Sequence, residues 1–286
     1  MLKQRAITAI VMLAVWLPAV FIPEWHLFPA LASALVAVAV WEWARLTGLS
    51  SSVCLLAGIT SASTGCLLLY SGDAIPRLNL SGWISVSLAW VLVCYFVLRR
   101  NISGWLAIPR LFRMAAGILI LALAWLALLT SYGWGANTLL SIMAIVWAAD
   151  IGAYFAGKQW GKHKLAPTIS PGKTWEGVLG GAVSVALVAA LWLALDQHYG
   201  FQNPSIYSWV LNDFGLLGLA LSLSILLALS ICGDLFESLI KRAADVKDSS
   251  HLLPGHGGIL DRIDALLPVM PVAVMIISVC QHIQGT

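Results

Sequence analysis

Charge is scarce in this sequence. Of its 286 residues, 16 are Lys or Arg and 13 are Asp or Glu, or 10% in all. A soluble domain carries about 25% charged residues. Most of this chain therefore has no face to offer to water, which excludes an ordinary soluble domain. With 60% hydrophobic residues and a mean hydropathy of +0.90, it reads as an all-α, polytopic membrane protein. Paired CxxC cysteines are missing as well. Cys54, Cys66, Cys94, Cys232 and Cys280 all lie in apolar segments and read as small buried hydrophobes, not as disulfides or a metal site. There is no low-complexity linker, no long run of charge and no internal repeat. Residues 1–286 read as a single transmembrane domain. No small-x-small cleavage site follows the basic start and first apolar run, so that run reads as a retained helix.

What is present is a series of apolar stretches of the length that crosses a bilayer, about 17–25 residues each. The pattern predicts about nine helices, near 6–22, 27–46, 53–71, 83–98, 112–131, 139–157, 177–195, 214–240 and 265–283. Placing the N-terminus in the cytoplasm puts every Lys and Arg except Arg77 on the cytoplasmic side. That sorting follows the positive-inside rule, so the small net charge of +3 is mostly topology. Nucleic acid is not an expected partner; the lipid bilayer is.

The halves differ. Residues 1–140 are generic helices with Trp25, Trp41, Trp43, Trp83 and Trp105 near their ends, the usual place of interfacial anchors. Glu42 and Arg45 are spaced to pair at the end of the second helix. Residues 141–286 hold two polar loops on the cytoplasmic side, 157–181 and 241–264. Acids inside helices precede them: Asp150 before the first, Asp234 and Glu237 before the second. An aspartate deep in a spanning helix costs about 2.5–3.5 kcal/mol. Two of them, with Asp261 and Asp264 nearby in sequence, favour a water-filled polar pocket. Asp234 and Glu237 are three apart, as are Asp261 and Asp264, so each pair shares a face if its segment is helical.

Clustered carboxylates without thiolates suit Mg²⁺ or Mn²⁺. A zinc site from His251, His256 and Asp261 matches no common zinc spacing. "SPGKTWEG" contains Gly172-Lys173-Thr174, but position 167 is proline where a P-loop needs glycine, and a membrane helix precedes it. What remains is Lys173 on a flexible turn, a point charge for a phosphate, with Thr174 and the glycines opening the next helix. In "SLIKRAADVKDSSHLLPGHGGILDRID", Lys241 and Arg242 end a helix. Pro254, Gly255, Gly257 and Gly258 make a turn that lets backbone approach a ligand closely. Metal ligands, phosphate-binding cations and a close-approach turn at a membrane surface are the equipment of phosphoryl or nucleotidyl transfer on a lipid headgroup.

Residues 238–264 resemble the signature of phosphatidate cytidylyltransferases (CDP-diacylglycerol synthases) without departure. "DIGAYFAGKQWGKHKLAPTISPGKTWEG", residues 150–177, is similar to that family's other polar stretch. The resemblance is strong over roughly 140–270; before that only length and helix pattern agree. It implies that CTP and phosphatidate give CDP-diacylglycerol and pyrophosphate. It implies a homodimer in the bacterial inner membrane with its active site on the cytoplasmic side, and Mg²⁺ with K⁺ as a second ion. It makes Asp234 and Asp261 the metal ligands. Lys173, Lys241 and Arg242 complete the catalytic set. The substrate-binding set is Asp150, Lys164, Ser170, Thr174, Glu237, Lys247, Asp248, His256, Gly257, Gly258, Arg262 and Asp264. Lys247 and Asp248 belong to the motif without an assigned role, and His251 reads as an ordinary loop histidine.

Two other readings stand beside this one. A CTP-dependent kinase of a polyprenol or dolichol-type alcohol shares the nucleotide, metal and membrane, but needs a base to deprotonate its alcohol. A transporter would line an ion path with the acids and leaves the glycine-rich loop unexplained.

Overall fold

In the computed structural model, residues 14–22, 27–70, 78–255 and 257–285 are described, apart from the side chains of 96–98 and 100. The start of the first expected helix, Lys3, Arg5, Trp25, Arg77 and His256 lie outside the described residues. The described chain forms α1 (14–21), α2 (Leu27–Leu46), α3 (Ser51–Tyr70), α4 (Leu80–Leu106) and α5 (Arg110–Gly133). It continues through α6 (Ala136–Trp160), β1 (Lys164–Ala166), β2 (Ser170–Thr174), α7 (Trp175–Tyr199), α8 (Ile206–Ala243), α9 (Leu260–Ile263) and α10 (Leu266–Gln284).

Seven helical spans in the described residues are long and apolar enough to cross a membrane. On α7, Leu179, Val183, Leu187 and Leu191 form an exposed apolar stripe at four-residue spacing. Water would penalise such a stripe; lipid does not. The protein is a helical, multi-pass membrane protein. Two short antiparallel strands depart from the all-α expectation. They pair Lys164 with Thr174 and Ala166 with Ser170, so Lys173 sits on a strand and not on a flexible turn. α4 and α8 each contain a break, at Asn101 (φ 56°) and Gly215 (φ 65°).

The chain gathers into two compact units. The first comprises 1–77, 100–129 and 237–264; the second comprises 78–99, 130–236 and 265–286. In the first, α2 packs on α3 and an aromatic core forms around Trp43. The Trp43 indole donates to the Arg113 carbonyl at 2.9 Å and meets Trp105 edge to face. Gly117 leaves the space the indole fills. Trp43 and Trp105 are thus core residues, not interfacial anchors, as is Trp83 in the second unit. For Trp43 the apolar area outweighs the interfacial preference because its N–H finds a buried acceptor. Cys66 corrects a smaller expectation: it is exposed on α3, while Cys54, Cys94 and Cys280 are buried.

In the second unit, α6 and α7 pack antiparallel along a seam of small residues. A Cβ on Gly180 would strike Ala156, and one on Gly152 would strike Ser184 and the Gly180 carbonyl. Small side chains let the two backbones approach, the usual means of helix association in lipid. The Thr174 hydroxyl accepts the Gly177 amide at 3.1 Å and caps α7. The close seam and the cap hold the β1–β2 hairpin at the end of α6 and α7.

Candidate active site

Each unit carries a lysine–carboxylate pairing at a polar loop. In the second, the Lys173 ammonium on β2 pairs with the Asp234 carboxylate on α8 at 2.7 Å. Both side chains are partly exposed, 23% and 31%, so an anion can reach the lysine. The hairpin that presents Lys173 is itself fastened. Glu176 accepts the backbone amides of Lys162 and His163 and the ring Nδ1–H of His163. Lys164 is exposed and Ser170 half-buried on that hairpin. Thr174 is buried, with its hydroxyl turned to the helix end. Asp150 lies on an exposed face of α6.

In the first unit, the Lys241 ammonium lies between two carboxylates. It pairs with Glu237 one turn earlier on α8 and with Asp261 Oδ1 at 2.5 Å. The other Asp261 oxygen, Oδ2, accepts three donors: the Ser249 amide and hydroxyl, both at 2.9 Å, and the Gly258 amide at 2.8 Å. Gly257 has φ +80°, and a Cβ there would lie 2.7 Å from Asp261 Oδ2. A Cβ on Gly258 would run into the Ser249 hydroxyl and the Glu42 carboxylate. The glycines at these two positions let the loop backbone wrap Asp261 closely. Arg242 donates to the Val246 carbonyl at 3.2 Å. Lys247, Asp248, His251 and Arg262 are exposed, and Asp264 is half-buried.

Sequence reasoning missed Glu42. It does not pair with Arg45, whose guanidinium instead lies 4.9 Å over the Trp41 ring. Glu42 points inward, is fully buried, and receives the Ser249 and Ser250 hydroxyls and the Ile259 and Leu260 amides. The signal was available: Glu42 is an acid inside an apolar run, as Asp150 and Asp234 are. The nearby Arg45 supplied a local partner that hid it.

In the first unit the carboxylates of Glu237, Asp261 and Asp264 are hard oxygen ligands of the kind Mg²⁺ takes, and they fit the divalent ion that the resemblance implies; Asp234 is a carboxylate of the second unit. Glu237 Oε1 is buried without a hydrogen-bond partner, the condition of an oxygen able to take another ligand. Among the described residues no three His, Cys, Asp or Glu side chains already converge as a metal cage. In this arrangement Lys241 balances the charge between Glu237 and Asp261.

Residues 3–280 match the family model described as the cytidylyltransferase family. The chain is 39% identical over 276 residues to a phosphatidate cytidylyltransferase of Pseudomonas aeruginosa, covering 95% of both chains. It is 32% identical over 290 residues to one of Haemophilus influenzae, covering 95% of this chain and 96% of that one. It is also 31% identical over 279 residues to one of Staphylococcus epidermidis, covering 94% and 96%.

Proposed function

Because the chain belongs to the cytidylyltransferase family, we propose that it joins CTP to phosphatidate and releases pyrophosphate and CDP-diacylglycerol. The observation that carries this reading is the form of the two polar clusters. Each sets a lysine ammonium against a carboxylate at a polar loop, which suits phosphate groups on the cations and a metal on the acids.

The nucleophile is a phosphate oxygen of phosphatidate. A phosphate monoester has its second pKa near 6 (about the value for a phosphorylated side chain). The oxygen is already anionic at neutral pH, and no strong base is needed. The obstacle is the repulsion between two polyanions. Lys173, Lys241 and Arg242 offset it, screening the lipid phosphate and the departing pyrophosphate while the attack proceeds in line. The glycines of the 254–258 turn would let backbone approach the triphosphate closely. By the family resemblance Asp234 and Asp261 would be the residues that hold Mg²⁺, with K⁺ as a second ion, and such an ion would supply charge neutralisation at the nucleotide phosphates. The chain carries nine spanning helices with its N-terminus in the cytoplasm. It works as a homodimer in the bacterial inner membrane, with the reaction at the cytoplasmic face.

The test is an assay of purified protein with phosphatidate, Mg²⁺ and CTP labelled at the α- or γ-phosphate. Label from the α-phosphate is expected in a CDP-lipid, with pyrophosphate released. Movement of the γ-label to a lipid alcohol would instead establish a kinase. Asp234→Asn and Asp261→Asn should each abolish turnover in protein that still inserts; near wild-type turnover in either would remove it from the metal site.

A further inference from the structure

We propose that Glu42, on α2 and far from both polar loops in sequence, is a positioning residue for the reaction: its carboxylate anchors the 249–260 loop and through it orients Asp261. The proposal rests on Asp261 being an active-site carboxylate, as read above. The geometry is a clamp at the two ends of one loop. On the entering side, Ser250 donates to Glu42 Oε1 at 2.5 Å and Ser249 to Oε2 at 3.1 Å. On the leaving side, the Ile259 amide donates to Oε1 at 3.0 Å and the Leu260 amide to Oε2 at 2.6 Å. Each oxygen thus has one donor from each end within reach, the Ser249 proton being shared with Asp261. No cation pairs with Glu42 in an ion pair among the described residues.

A carboxylate at zero exposure is costly unless its hydrogen-bonding capacity is filled. Here it is filled by neutral donors that all belong to one loop. Only a carboxylate offers two oxygens with about four acceptor sites in a fork. A carboxamide has one acceptor oxygen, and its amino group would face two donors. The route to Asp261 is short. The Ser249 hydroxyl lies 3.1 Å from Glu42 Oε2 and 2.9 Å from Asp261 Oδ2, and it has a single proton for both. The Ser249 amide also holds Asp261. Leu260, tied to Glu42, immediately precedes Asp261 in the chain. Moving Glu42 therefore moves the backbone on one side of Asp261 and a hydrogen-bond donor on the other.

The experiment compares wild type, Glu42→Gln, Ser250→Ala and Asp261→Asn as full-length protein in lipid nanodiscs. It measures steady-state kinetics together with hydrogen–deuterium exchange of peptides covering 245–262. For Glu42→Gln, kcat is expected to fall by about a hundredfold, the scale of a 1 Å misplacement of a reacting group. The KM for CTP should stay within about threefold. Exchange should rise at Ile259 and Leu260 and stay unchanged along α2 and α3. Ser250→Ala removes one of the four donors without leaving a buried charge unmatched. It should lower kcat by about three- to tenfold and raise exchange in the same peptides. A residue with only a structural role would loosen α2 and α3 and reduce the amount of folded enzyme while leaving kcat per folded molecule intact.

Normal kcat and normal loop exchange in folded Glu42→Gln overturn the proposal. If Glu42→Gln does not insert, the same result in Ser250→Ala overturns it. Asp261→Asn separates the two readings: if that variant turns over normally, the site assignment itself has failed. If it is inactive while the loop variants are unimpaired, only the role of Glu42 has failed.

Discussion

Lys241 is the residue on which the first cluster balances. Its side chain is 13% exposed and the Glu237 side chain 1%, so the pairing is made largely out of water. Removing one partner of a buried ion pair costs about 3–5 kcal/mol, because it leaves the other charge uncompensated. Lys241→Met places Glu237 and Asp261 near each other without a cation. The expected outcome is a lowered midpoint of thermal unfolding in detergent as well as loss of turnover; an unchanged midpoint would show that the pair does not support the fold. At this scale the sequence was legible where the motif was dense. Asp234, Lys173, Lys241 and Asp261 stand out as polar groups in an apolar chain, and the structure finds each of them in an ion pair. The pairing of Lys173 with Asp234 and of Lys241 with Asp261 was not legible, because those partners lie far apart along the chain; only Glu237, one turn before Lys241, is a local partner. Glu42 was misread for the same reason: its partners are more than 200 positions away, and periodicity sees only neighbours a turn apart.

Among the elements, helices were the easiest to read, since lipid forces every backbone group in a span to bond within its own segment. The predicted segment 27–46 coincides with α2, and most other ends differ by a few residues, the range over which helix ends are commonly ambiguous. The segment expected at 214–240 is longer in the structure, Ile206–Ala243. The chain resumes helix before Gly215, and the positive φ there breaks the run without ending it. The β1–β2 hairpin was not read, because its strands hold three and five residues and its composition of Gly, Pro, Ser and Lys is that of a loop. Its position depends on the α6–α7 seam. Gly180→Leu inserts a branched side chain where Ala156 already touches the backbone, and overpacking of this kind costs about 1–3 kcal/mol or more. The variant should unfold at lower temperature, and a cysteine-reactive probe at Lys173→Cys should label faster in it than in the Gly180 background. Equal labelling rates would show that the hairpin is held independently of the seam.

For the whole molecule, seven apolar spans among the described residues and the matching of residues 3–280 to one family agree on a multi-pass membrane enzyme fold. Orientation is the quantity to measure. With the N-terminus in the cytoplasm, Lys164→Cys in a cysteine-free background should react with a membrane-impermeant maleimide only after the cytoplasmic face is exposed. Labelling of intact cells would reverse the topology and move both polar loops to the outer side.

Composition alone determined that this chain lives in lipid. A chain with 10% charge and 60% hydrophobic residues cannot cover a water-facing surface, and the few charges it has must then carry topology or chemistry. The local spacing of acids, lysines and glycines determined the type of that chemistry, because those groups lie within a few turns of one another along the chain. The tertiary structure alone decided the pairing of Lys173 with Asp234, the seat of Lys241 between two carboxylates, and the burial of Glu42 under the loop that holds Asp261. Hydrogen bonds and ion pairs depend on distance in space, and separation along the chain does not report it.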